Sequence, residues 1–216
     1  DLLSTGAHQS GIWLNTGEGG LSPFHQTSPC DLVFQIGTAK YGVRDADGRL
    51  DPDKVAALAA LPEVRMFEIK LSQGAKPGKG GILPGEKVTP VIASTRGIPA
   101  GQDSISPNRH PEVTDAPSLL DLIAQVRGAS GKPTGIKFVL GDAHWLDDLC
   151  AAIHARGVAS APDFITLDSA DGGTGAAPQG LMDNMGLPIA TSLPLVHQRL
   201  TEAGLRDRIR LRSEEH

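Results

Sequence analysis

Lys70 and Lys137 each interrupt an apolar run, residues 66–71 (MFEIKL) and 135–140 (GIKFVL). Lysine is almost never fully buried without a partner. A lysine on a buried strand therefore asks for an anion: a carboxylate, a phosphate or the negatively charged edge of a flavin ring. The competing reading is an outward lysine that lays its stem between helices and keeps its ammonium in water. Glu68 and Lys70 stand two apart on one run and so share a strand face. A buried ion pair would also account for them. Gln35, inside residues 31–36 (DLVFQI), is a further polar group in an apolar run. It needs a hydrogen-bond partner, which a ligand amide or a neighbouring backbone group would supply equally.

Four apolar runs pass straight into polar, glycine-rich text. Residues 11–15 (GIWLN) lead into Thr16-Gly17-Glu18-Gly19-Gly20, residues 31–36 into Gly37, and residues 66–71 into Ser72-Gln73-Gly74-Ala75-Lys76-Pro77-Gly78. Residues 163–168 (DFITLD) lead into Ser169-Ala170-Asp171-Gly172-Gly173-Thr174-Gly175. Glycine has no Cβ, so backbone N–H groups in such loops can approach and cradle a phosphate or a ring edge. The DGGTG segment precedes an expected helix, whose N-terminus would favour an anion. A tight turn with Thr174 as helix cap explains it equally well. Neither this segment nor GAKPGKG at residues 74–80 has the spacing of a P-loop.

Other chemistry has less support. Asp45-Ala46-Asp47-Gly48 hints at a calcium loop, but Arg49 falls where a third ligand belongs, so a plain turn is expected. The histidines show no zinc spacing, and no GxSxG nucleophile elbow occurs. No metal site is expected. His110, in residues 106–110 (SPNRH), lies in a long loop and is a candidate functional residue.

The elements that must position these groups alternate. Six strands are expected at residues 11–15, 31–36, 66–71, 135–140, 163–168 and 208–212. Helices are expected at 51–61, opened by Asp-Pro, and at 118–126, 144–154 and 193–203. Such alternation builds a parallel sheet. Residues 72–117, dense in Gly, Pro and Lys, break the rhythm as a long loop, and loops of that length are usually functional. One domain over residues 1–216 is expected, as an α/β barrel of the (β/α)8 TIM type with strands missing at both ends. An open doubly wound sheet is the rival. In a barrel, the strand ends and following loops carry the active site.

The bulk numbers agree with one enzyme domain. The 216 residues are 39% hydrophobic with net charge −5, and no basic face offers itself to nucleic acid. No apolar run approaches the roughly 20 residues of a membrane helix. The chain starts at Asp1 and not at Met, which suits an excerpt or a trimmed product. Cys30 and Cys150 lie far apart and read as free thiols in a reducing, cytoplasmic compartment.

Residues 16–20 (TGEGG), 31–37 (DLVFQIG), 68–78 (EIKLSQGAKPG), 80–90 (GGILPGEKVTP), 106–110 and 171–178 (DGGTGAAP) together resemble, in order and spacing, the FMN-binding synthase domain of glutamate synthases. The likeness is closest to the short, stand-alone glutamate synthase-like FMN proteins, and it runs from Thr16 to Arg212. It implies a (β/α)8 barrel in which the six runs are strands two to seven, with FMN at the strand ends. It implies reductive amination of 2-oxoglutarate to glutamate, reduced FMN delivering hydride to an imine. Lys137 would then sit near the flavin N1/O2 edge, and Gln35 at its pyrimidine side. Lys70, Gln73 and Lys76 would hold the keto acid and help place the ring, with Glu18 close to the reacting centre. Asp171, Gly172 and Gly173 would meet the ribityl or phosphate part. The family's iron–sulfur cysteines lie beyond Arg212, and Cys30 and Cys150 do not match them. Implied partners are 2-oxoglutarate with ammonia or another amine donor, and an electron-donor protein or a second copy of the chain. Two alternatives stay open: a flavin barrel acting on another imine or amine donor, and a non-catalytic fragment that binds a partner.

Overall fold

The computed structural model describes residues 2–74, 76–171 and 177–213. They form two compact units. The first comprises Asp1–Ile69, Gly80–Pro107 and Gln125–Pro133, and the second Lys70–Lys79, Asn108–Ala124 and Thr134–His216.

The first unit holds strands β1 (Leu14–Asn15), β2 (Leu32–Ile36) and β3 (Val64–Lys70). They pair in parallel, with Leu14 opposite Leu32 and Gln35 opposite Glu68. Every residue of β2 is buried, as a strand covered on both faces requires. Phe34 and Phe67 meet at a centroid distance of 5.8 Å in its core. Helix α2 (Pro52–Ala59) makes the crossover from β2 to β3. It starts where the sequence says it must: Pro52 enters the first turn and the Asp51 carboxylate accepts from Asp53 N and Lys54 N.

Two elements of this unit depart from the expected text. Residues 11–13 are not strand. Helix α1 (Leu2–Ser10) runs up to Gly11, whose φ of 64° ends it, and Ile12 and Trp13 are exposed. The long glycine-rich interval is also not structureless. It contains the antiparallel pair β4 (Ile82–Leu83) and β5 (Ser104–Ile105), and helix α3 (Pro90–Arg96). Thr89 caps α3 by accepting from Ile92 N, and Gly97 closes it with φ 69°. Arg96 pins this segment: its guanidinium lies 4.7 Å from the centre of the Tyr41 ring and donates to Ser104 Oγ at 2.9 Å.

The second unit holds β6 (Thr134–Val139), β7 (Phe164–Asp168) and β8 (Arg210–Ser213), again parallel, with Ile136 opposite Ile165 and Ile165 opposite Leu211. All residues of β6 and β7 are buried. Helix α5 (Ala143–Arg156) links β6 to β7, capped by Asp142 and ended at Gly157. Helices α6 (Gln179–Asn184) and α7 (Ile189–Glu202) lie between β7 and β8. Helix α4 (Ala116–Ser130) covers the expected stretch and extends it at both ends. Parallel strands with helical crossovers make the chain α/β, with the repeating unit of an incomplete (β/α)8 barrel. Among the described residues, no helix is long and apolar enough to cross a membrane.

Gly135 stands in a strand interior for a steric reason: a Cβ there would lie 2.4 Å from the Phe164 ring. Gly135→Ala is expected to destabilise the fold by about 1–3 kcal/mol, read as a lower urea midpoint. Cys30 and Cys150 are both free and buried. Burial pushes the Cys150 thiol up from 9.0 to about 11, with the Asp147 carboxylate adding to it. The unfolded thiol therefore ionises first, and its contribution to stability is present below pH 9 and lost toward pH 11. The urea midpoint should fall across that window, and fall less in Cys150→Ala.

Candidate active site

Polar side chains collect where the parallel strands end. In the first unit the collecting point is Glu68, only 1% exposed on β3. Its Oε1 accepts from Gln35 Nε2 at 2.7 Å and from Asn15 Nδ2 at 2.8 Å. The partner that Gln35 required is thus a carboxylate one strand away. Two amide donors on one carboxyl oxygen orient both amides. The turn after β1 is tied to the same cluster. Gly17 N donates to Asn15 Oδ1 at 2.8 Å, and Gln35 N donates to Thr16 Oγ1 at 3.0 Å. Glu18 follows, half-buried, against Gly37. A Cβ at residue 37 would come within 2.8 Å of the Glu18 Cβ, so the glycine after β2 makes room for the Glu18 side chain.

In the second unit the centre is an ion pair. Lys137 Nζ on β6 lies 3.4 Å from Asp168 Oδ2 at the end of β7, and their side chains are 4% and 2% exposed. Lys137 is therefore an inward, buried lysine with a carboxylate facing it, and the outward reading falls. Asp168 Oδ1 accepts from Ser169 N at 3.0 Å. The loop after β3 closes directly over this pair. A Cβ at Gly74 would lie 2.6 Å from the Asp168 carboxyl carbon, so only glycine lets the backbone come this near.

The remaining residues of this unit occupy the same strand ends. Lys70 Nζ donates to Gln73 Oε1 at 2.9 Å, so the structure brings these two together. Lys76 is half-buried a few residues on. His110 is buried with Nε2 3.0 Å from the Lys70 carbonyl, which makes it a brace for the Lys70 backbone. Asp171 turns toward helix α7: its Oδ2 accepts from Ser169 Oγ at 2.8 Å and from Ile189 N at 3.3 Å. Gly172, Gly173 and Thr174 lie outside the described residues.

Asp45 forms the expected turn, its carboxylate accepting from Asp47 N and Arg49 N. These N–H groups, that of Arg49 first, hold its carboxyl below the usual carboxylate range. Among the described residues no group of three or more His, Cys, Asp or Glu could hold a metal. Sequence reasoning missed Asn15 and Asp168. Each is the last residue of its strand, and that position was the available signal.

Removing the carboxylate that faces a buried lysine is expected to be costly. Asp168→Ala should destabilise the fold by about 3–5 kcal/mol, and adding Lys137→Met should restore part of it. A double-mutant cycle in urea checks this. Independent, additive losses would deny that the pair is coupled.

Comparison with known proteins then gives a single direction. The family model described as "Conserved region in glutamate synthase" matches residues 1–215. The chain is 40% identical over 210 residues to the glutamate synthase large subunit-like protein YerD of Bacillus subtilis, covering 97% of this chain and 39% of that protein. It is 35% identical over 223 residues to the archaeal glutamate synthase [NADPH] of Methanocaldococcus jannaschii, covering 96% of this chain and 39% of that one. The chain thus spans about two fifths of the length of the curated relatives it matches. Among solved structures, a radical SAM methyltransferase from Sphaerobacter thermophilus superposes with a TM-score of 0.42 at 15% identity, covering 85% of this chain and 41% of that one. That likeness is too slight to carry an argument.

Proposed function

This chain belongs to the glutamate synthase family, and we propose that it is an incomplete flavin-binding barrel domain of a glutamate synthase-like oxidoreductase acting on 2-oxoglutarate. The observation that carries this reading is the buried Lys137–Asp168 pair at a strand end, beneath a loop that only glycine permits. An ammonium held in place there suits a ring edge that gains negative charge on reduction.

The residues fit FMN by the chemistry of their donors. Lys137 would donate from Nζ to the flavin N1/O2 edge, with Asp168 holding the ammonium in position. Gln35 presents its nitrogen to Glu68, so its carbonyl is left to accept from the pyrimidine side of the ring. Asp171, with Gly172 and Gly173, would lie toward the ribityl and phosphate part. When bound, FMN would supply the hydride that turns the imine of ammonia and 2-oxoglutarate into glutamate. Lys70 and Lys76 would bind the keto-acid carboxylates as point charges. Gln73, already bonded to Lys70, would fix the direction of that ammonium. Glu18, given its place by Gly37, would move a proton at the reacting nitrogen. The family's iron–sulfur cluster does not fit these residues: the chain has two cysteines, fewer than a cluster needs. Electrons would reach the flavin from an electron-donor protein.

The test is the visible spectrum and reduction potential of the protein titrated with FMN. Saturable perturbation of the flavin bands is expected, with reoxidation of the reduced flavin by 2-oxoglutarate plus ammonia. Lys137→Met should weaken flavin binding about ten- to a hundredfold, the worth of one charge-assisted hydrogen bond, and lower the potential. Unchanged affinity and potential would remove Lys137 from the site. Flavin binding without reoxidation by these substrates would point to another imine or amine donor.

A further inference from the structure

The second unit contains a cavity of about 220 Å³ that none of the residues assigned above to flavin or keto acid lines. Val113, Leu119, Phe138 and Trp145 form its apolar wall, and Leu71, Ser72 and His110 close it toward the end of β3. Phe138 and Trp145 meet edge to face, with centroids 4.7 Å apart at 65°. One cation, the exposed Arg109, stands at the lining, and among the described residues no Asp or Glu lines the cavity.

Size, wall and charge together define an occupant. The volume equals that of about seven waters and is smaller than the roughly 300–1,000 Å³ of drug-sized sites, which suits a ligand of about ten non-hydrogen atoms. An aromatic ring would pack against the Phe138 and Trp145 faces and edges. The guanidinium fork matches one carboxylate in a bidentate fashion. A second carboxylate would be driven among Leu, Val and Phe side chains and would lose its hydration without a partner. We infer that this cavity is a binding site for a small aromatic monocarboxylate, its ring on the Phe138–Trp145 wall and its carboxylate on Arg109. The site is separate from the one assigned to 2-oxoglutarate, whose two carboxylates it rejects. His110 belongs to its wall and holds the Lys70 carbonyl at 3.0 Å, so occupancy borders directly on the backbone of Lys70.

Trp145 reports on the cavity. The Trp13→Phe protein, which leaves Trp145 as the sole tryptophan, is titrated with phenylacetate while its fluorescence is followed. A saturable change is expected, with phenylacetamide and 2-oxoglutarate each binding at least about tenfold more weakly. Arg109→Ala, at an exposed position that leaves the fold intact, should weaken phenylacetate by about the same factor. No saturable change, an equal response to acid and amide, or indifference to Arg109→Ala would each overturn the site. None of these readings requires flavin, so failure here and failure of the flavin assignment are told apart by the FMN titration.

Discussion

A lysine ammonium and an aspartate carboxylate stand 3.4 Å apart with almost no access to water. Taking either charge out of water alone costs several kcal/mol, so each makes the other tolerable. Much of the second unit is arranged around this constraint. Asp168 must end β7 so that its carboxylate can face Lys137 on β6. Residue 74 must be glycine so that the loop after β3 can pass over the pair. Ser169, bonded to Asp168 through the backbone, carries the order onward to Asp171 and to the first N–H of α7. Such a pair adds little net stability against an apolar replacement, while losing one partner strands the other charge.

In the first unit a buried carboxyl group meets side-chain amides. Glu68 is as buried as the ion pair, but its oxygen is met by the side-chain amides of Gln35 and Asn15. The parallel register puts Gln35 directly opposite Glu68, so the contact is set by strand pairing and not by a flexible loop. Glu18 follows the β1 turn that this cluster ties down. Both units thus place polar groups on strands, which hold them more rigidly than loops, and let glycine-rich turns approach from above. The cavity beside Trp145 is a different kind of space, walled mostly by apolar side chains.

Much of this order can be read from the residues in one dimension. Burial on both faces makes β2, β6 and β7 nearly continuous apolar runs, and caps such as Asp51-Pro52 and Asp142 mark helix starts locally. The cap signals at Thr89-Pro90 and Gly97 were equally local, yet the glycine and proline around them hid helix α3 in an apparent loop. Residues 11–13 read as strand because they are apolar, but Gly11 turns the chain there and leaves Ile12 and Trp13 in water. Propensity cannot separate an apolar residue used in a core from one left exposed, since only the neighbouring element decides.

For the site the division has a physical basis. The sequence by itself determined that Lys70, Lys137, Gln35 and Glu68 lie in apolar strands and that glycine-rich turns follow the strand ends. That follows from the cost of burying polar groups and from period and composition, which are local properties. It could not determine which partner each one takes. Pairing Lys137 with Asp168, 31 positions later, or Gln35 with Glu68, 33 positions later, depends on strand order and register. Those are set by long-range packing, where a slip of one residue sends every side chain to the opposite face. The need for a partner was therefore legible residue by residue, and its identity was decided only when the strands came together.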